Sequence, residues 1–260
     1  MNKIEEVFAA QKKVFIPFVT AGDPSLSKTE ELIYAMEKQG AGIIEIGIPF
    51  SDPVAEGPVI QEADNRALSK GCKIDDVFAM LRRVRSKTQI PLVFLTYINP
   101  IVVYGMDKFL QQSQAVGIAG IIVPDVPYEE KGMLTEPFAK YGIDLISMIA
   151  PTSQDRIQMI AKEAKGYVYL VSSLGVTGVR NSITTDIGAM VAQVRAVTKT
   201  PVAVGFGIAT PRQAYDMAKA SDGAIVGSAI VKIIAQYGDA CVEPVSKYVA
   251  EMVAAVAKAK

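Results

Sequence analysis

Short apolar runs alternate with amphipathic segments along all 260 residues of this chain, and that alternation limits the fold more than any other feature. Strand-like runs occupy 14–20, 43–48, 91–97, 120–124, 144–149, 167–172, 201–205 and 223–226. Helical patterns lie between them at 28–39, 74–85, 106–115, 130–141, 154–164, 186–197 and 211–220, with a last one at 244–257. In that last segment Val245, Val249, Met252, Val253 and Val256 recur at helical spacing. Strands alternating with helices imply parallel β-α-β units. About eight such units in roughly 250 residues is the count of a closed barrel. The expectation is one α/β domain over 1–260, a (β/α)8 TIM barrel with an extra N-terminal helix. No composition shift or charge block marks a second domain. A doubly wound open sheet is the structural rival, and no GxGxxG follows the first strand to favour it.

Within the second run, Ile43-Ile44-Glu45-Ile46-Gly47-Ile48, one glutamate interrupts residues that read as a strand buried on both faces. None of the other runs carries a Lys or Arg, so no neighbouring strand offers a cation. Desolvation is therefore expected to raise the pKa of Glu45, as suits a general acid-base. The alternative is a neutral glutamic acid hydrogen-bonded inside a core. Period-two alternation puts Ile43 and Gly47 on the face of Glu45, with Gly47 leaving room for a ligand. Eleven residues on, Glu56 sits in a loop able to fold over the barrel mouth. Taken alone it reads more readily as a solvated loop charge. With Glu45 it would form a pair of carboxylates whose pKa values separate. Tyr169 shares a strand face with Tyr167 and Val171 and could bring a hydroxyl to the site, or simply pack.

Composition narrows the chemistry. Lys plus Arg and Asp plus Glu each number 27, so net charge is zero, which argues against nucleic-acid or membrane surfaces. The acidic N-terminus is unlike a signal peptide and no run is long enough to span a bilayer, so a cytoplasmic protein is expected. The chain has no histidine, which removes Ser-His-Asp triads and most zinc and iron sites. Cys72 and Cys241 lack metal spacing and read as packing thiols.

Barrel chemistry sits in the loops after strands. After the seventh and eighth runs come Gly205-Phe206-Gly207 and Gly227-Ser228, where barrels commonly hold a phosphate on backbone N–H groups. Either could be an ordinary turn; together, at this place, they point to phosphate. Ser228 could also cap a helix. Thr177-Gly178 could complete the cradle, and the loop from Ser172 to Gly178 has the glycine content of a lid.

Pro49-Phe50-Ser51-Asp52-Pro53 followed by Gly57-Pro58-Val59-Ile60-Gln61 is similar to the most specific signature of the tryptophan synthase α subunit family. Phe18 to Pro24, Pro124-Asp125-Val126-Pro127, Gly175 to Gly178, Gly205-Phe206-Gly207 and Gly227 to Val231 match it too, in register. The resemblance implies a barrel that cleaves indole-3-glycerol phosphate to indole and glyceraldehyde 3-phosphate, a carbon-carbon lyase of tryptophan biosynthesis. It implies no cofactor on this chain, and pyridoxal phosphate only on a partner β subunit in an αββα complex that channels indole. By the family pattern Glu45 protonates indole C3, and the loop carboxylate, here Glu56, handles the proton on the indole nitrogen. Phe18, Leu95, Tyr97, Ile122 and Tyr169 match the substrate pocket. Thr177 joins them through the sixth loop. Gly178, Phe206, Gly207, Gly227 and Ser228 match the phosphate site, and Pro49, Asp52, Pro53 and Asn99 the side facing β. Two positions depart from the pattern. Glu56 stands where Asp is usual, and Ser173 where some members carry Arg. The alternatives are a lyase acting without β, a non-catalytic activator of β, and another phosphosugar barrel enzyme.

Overall fold

The computed structural model describes residues 3–151, 154–172, 186–205 and 207–259. Nine strands form one parallel sheet: β1 (Val14–Thr20), β2 (Ile44–Gly47), β3 (Leu92–Leu95), β4 (Ile118–Ile122), β5 (Asp144–Leu145), β6 (Ser147–Ile149), β7 (Val168–Val171), β8 (Val202–Gly205) and β9 (Gly223–Val226). Their order is β5-β4-β3-β2-β1-β9-β8-β7-β6. The expected fifth strand is thus two short ones, divided at Ile146. β5 pairs with β4 and β6 with β7, so this one run closes the ring into a barrel. The other seven runs are strands as the alternation predicts: β1 and β9 keep the expected bounds, β2, β3, β7 and β8 are trimmed at their ends, and β4 starts and stops two residues earlier.

Strand periodicity sorts side chains between two cores. Val93, Ile122, Tyr167, Tyr169, Val171 and Ile225 point into the barrel. Ile44, Ile46, Leu92 and Phe94 point out to a layer of helices. Ile4 and Phe8, on the N-terminal helix Lys3–Ala10, pack into the interior cluster from the barrel's lower end. The last helix, Val242–Ala257, buries Val245, Val249, Met252 and Val256 as its stripe requires. Each such side chain contributes about 1.5–3 kcal/mol.

Three helices lay hidden in segments that read as loops: Pro58–Ser69, Ile98–Tyr104 and Ser228–Tyr237. Pro58 and Pro100 look like helix breakers. Each stands in the first turn of its helix, where proline removes no hydrogen bond. The Asp125 carboxylate accepts from the Ile98 N–H at 3.1 Å, capping the second of these helices from the next loop along. No described helix is long and apolar enough to cross a membrane. Both cysteines are free thiols, Cys72 half-buried and Cys241 buried.

Candidate active site

Glu45 lies in β2 opposite Phe18 of β1 and Val93 of β3. It is 1% exposed. The Tyr167 hydroxyl donates to its Oε1 at 2.6 Å. Burial lifts the Glu45 carboxyl to about 8, Tyr167 pulls it partway back by bonding the charged form, and the charge of Glu56 pushes it up again. At neutral pH Glu45 is thus mostly a carboxylic acid able to give its proton.

A cavity opens over Glu45 at the C-terminal ends of the strands, about 450 Å³ of empty space partly open to solvent. Glu45 and Glu56 both line it, together with Phe18, Ile60, Leu95 and Tyr169. Gly207, Gly227 and Ser228 line it as well. The structure therefore brings together eight of the residues singled out from sequence, taken from six strands or the loops that follow them. Ser228 opens the helix Ser228–Tyr237 rather than capping it; the cap position is Gly227. The unpaired N–H groups of that first turn, beside Gly227, suit an anion. No lysine or arginine is among the described lining residues. Thr177, Gly178, Phe206 and Ser173 lie outside the described residues.

Four readings need correction. Glu56 is not a solvated loop charge; it is 4% exposed. Its loop is held down by Gln61, whose Nε2 donates to the Glu56 carbonyl at 2.7 Å. Tyr97 does not line the cavity. It is buried, its ring lies 5.5 Å from that of Phe50, and its hydroxyl accepts from the Ala55 N–H at 3.1 Å. It thus supports the loop that carries Glu56. Ile122 is likewise absent from the lining; it is buried in the interior cluster that also holds the lining residues Tyr169 and Ile225. Gly47 does not make room for a ligand either, because the Phe18 ring fills the space above it. A Cβ at Gly47 would sit 2.6 Å from Phe18 Cζ.

Sequence reasoning also missed Tyr167. Its signal was present, since it shares a strand face with Tyr169. Which of the two tyrosines meets Glu45 depends on packing across the barrel, where Tyr167 reaches Glu45 and Tyr169 lines the cavity. Removing the Tyr167 hydroxyl should move Glu45 in a defined direction. The bond stabilises the charged carboxylate, so Tyr167→Phe is expected to shift the alkaline limb of the kcat profile upward by about one pH unit and to slow turnover about tenfold. A pH–rate profile of the variant with limbs in the wild-type positions would show that this bond does not tune Glu45.

Of the residues expected to face a partner, Asp52 and Asn99 are exposed and Pro49 is half-buried, while Pro53 is buried and so presents no surface. Larger apolar exposure, not anticipated from the sequence, comes from Val54 at 73%, Val102 at 56% and Val103 at 78%. Among the described residues, no group of His, Cys, Asp or Glu is arranged to hold a metal ion.

A family model described as tryptophan synthase alpha chain matches residues 4–259. The tryptophan synthase alpha chain of Thermoanaerobacter pseudethanolicus is 49% identical over 240 residues, covering 91% of this chain and 92% of its own. That of Lacticaseibacillus casei is 46% identical over 252 residues, covering 96% and 94%. The crystal structure of tryptophan synthase subunit alpha from Legionella pneumophila superposes with a TM-score of 0.89 at 37% identity, covering 98% of each chain. With nearly its whole length matched at such identity, and its barrel superposing on a solved relative, this chain belongs to the tryptophan synthase alpha chain family.

Proposed function

We propose that this chain cleaves indole-3-glycerol phosphate to indole and glyceraldehyde 3-phosphate, with Glu45 as its acid-base. The observation that carries the reading is a buried, uncharged carboxyl facing a cavity lined by apolar side chains and a helix N-terminus. The neutral Glu45 carboxyl gives its proton to C3 of the indole ring, leaving positive charge on the ring. The bond from C3 to the side chain then breaks and its electrons return to the ring. The hydroxyl on the departing carbon becomes the aldehyde as its proton passes to the Glu45 carboxylate. The proton given is thus recovered, and the reaction needs no cofactor on this chain. Glu56 accepts the indole N–H and stabilises the charge that develops there. Phe18 and Leu95 enclose the indole, Tyr169 lines the same pocket, and Gly207, Gly227 and Ser228 receive the phosphate. A positioned acid-base of this kind supplies about 10²–10⁴ in rate.

Membership of the family also implies a β-subunit partner. The finer assignment is that Pro49, Asp52 and Asn99, with the exposed Val54, Val102 and Val103, form the face that meets it in an αββα complex. Apolar exposure concentrated on the loop of Val54 and the helix Ile98–Tyr104 is what an obligate partner would cover. Pyridoxal phosphate then belongs to β, and a cytoplasmic location goes with the substrate.

The test is release of glyceraldehyde 3-phosphate from indole-3-glycerol phosphate, with and without the cognate β subunit. Turnover that is low alone and rises strongly with β is expected, because the two sites are then coupled. Full activity without β would leave a stand-alone lyase, and silence in both cases would leave an activator of β that has lost its own chemistry.

A further inference from the structure

One buried carboxyl beside the cavity has no part in the mechanism above. The helix Pro58–Ser69, which follows Glu56, buries Ile60, Ala63, Asp64 and Ala67. Ile60 lines the cavity with Glu56, and Asp64 lies one turn further along the same face. Asp64 is 5% exposed. Among the described residues no hydrogen bond or ion pair holds its side chain. Arg66, on the same helix, is taken up by Asp23, with Nε to Oδ1 and Nη2 to Oδ2 both at 2.8 Å. Lys70 Nζ donates to the Pro24 carbonyl at 2.7 Å. Lys232, on the packed helix Ser228–Tyr237, is exposed to solvent. The Tyr97 hydroxyl lies within electrostatic reach of both the Glu56 and the Asp64 carboxyl. The carboxylates of Glu56 and Asp23 both act on Asp64, and among the described residues Arg66 and Lys70 are engaged elsewhere and Lys232 is in solvent.

We propose that Asp64 is a positioning residue for Glu56, a buried carboxyl carried neutral so that Glu56 alone bears charge beside the indole subsite. This rests on the reading of Glu56 as the group that receives the indole N–H. Burial, then the charge of Glu56, then that of Asp23 raise the Asp64 carboxyl to about 8. Two anions confined in one desolvated region repel strongly. When Asp64 ionises, one of the pair must give way. Asp64 is fixed on a helix, whereas Glu56 sits in a loop, so Glu56 is the one displaced, and substrate loses its partner for the indole N–H.

The experiment uses Glu45→Gln as background, so that substrate binds without being cleaved and Glu45 does not titrate. Affinity for indole-3-glycerol phosphate is measured by calorimetry from about pH 7 to 9.5, where the phosphate is already a dianion. Kd is expected to weaken about tenfold across that range. Adding Asp64→Asn, which keeps the shape and cannot ionise, should flatten the curve, a result that a merely structural role for Asp64 would not produce. Should that variant fold poorly, Glu56→Gln in the same background should flatten it as well. A curve that keeps its slope in either double variant, or affinity in the Glu45→Gln background that is flat with pH, overturns the role of Asp64. Absence of binding at every pH would instead remove the proposed function itself.

Discussion

Replacing Glu45 with glutamine is expected to lower kcat for indole-3-glycerol phosphate cleavage by about 10³-fold or more, within or beyond the upper range of a single acid-base group. Glutamine keeps the shape and can still accept from Tyr167, but it has no proton to give to C3 and no carboxylate to take one back. Both halves of the reaction fail together, so the loss should appear in kcat while substrate affinity at neutral pH stays close to wild type. Turnover within tenfold of wild type would remove Glu45 from the chemistry.

The same substitution should act on stability with the opposite sign. The folded protein holds Glu45 at about 8 against an ordinary 4.5. A raised folded-state value gives stability that is fully present below 4.5 and is lost as pH climbs through about 8. At about 1.4 kcal/mol per unit, the wild type loses several kcal/mol across that window. Glutamine cannot ionise and loses none of it. Glu45→Gln should therefore melt near wild type at pH 5 and above it at pH 8, by scanning calorimetry. An inactive variant that is the more stable protein at alkaline pH marks a charge kept for function and not for folding.

Glu45 could be read from sequence because strand alternation is local. A lone carboxylate among β-branched residues states its own burial, and the absence of cations in the other runs states the direction of its pKa. The barrel was legible for the same reason, one β-α unit at a time. Contacts between units were not. Tyr167 and Tyr169 are equivalent in any period-two pattern, and only packing across the barrel decides that Tyr167 meets Glu45. Glu56 looks solvated in a segment rich in Pro and Gly, yet the Gln61 and Tyr97 contacts fold that segment inward. Asp64 sits in a helix that Gly57-Pro58 disguised as loop, so its buried face had no periodic frame in which to be noticed. That Gly207, Gly227 and Ser228 meet at one cavity was legible by topology, since the loops after two adjacent strands, β8 and β9, lie side by side.

Gly47 shows how a correct face assignment can still give the wrong reason, and it yields the second large effect. Gly47 shares the inward face of Glu45, but its missing side chain makes room for Phe18. A Cβ there would lie 2.6 Å from Phe18 Cζ and 2.9 Å from Cε2. From the other direction, a Cβ at Gly227 would lie 3.2 Å from Phe18 Cδ1. The ring is held between two glycines and cannot yield to one without pressing on the other. Phe18 pairs with Glu45 across β1 and β2 and lines the cavity, so the displacement falls on the substrate pocket. A shift of about an ångström at such a place costs roughly a hundredfold. Gly47→Ala is therefore expected to lower kcat/KM about a hundredfold, with an overpacking cost of about 1–3 kcal/mol in stability. Gly227→Ala, where the contact is looser, should do less. Shortening the ring supplies the decisive control: Phe18→Leu combined with Gly47→Ala should recover part of the lost kcat/KM. If the double variant is no faster than Gly47→Ala alone, the glycine serves something other than the seat of Phe18.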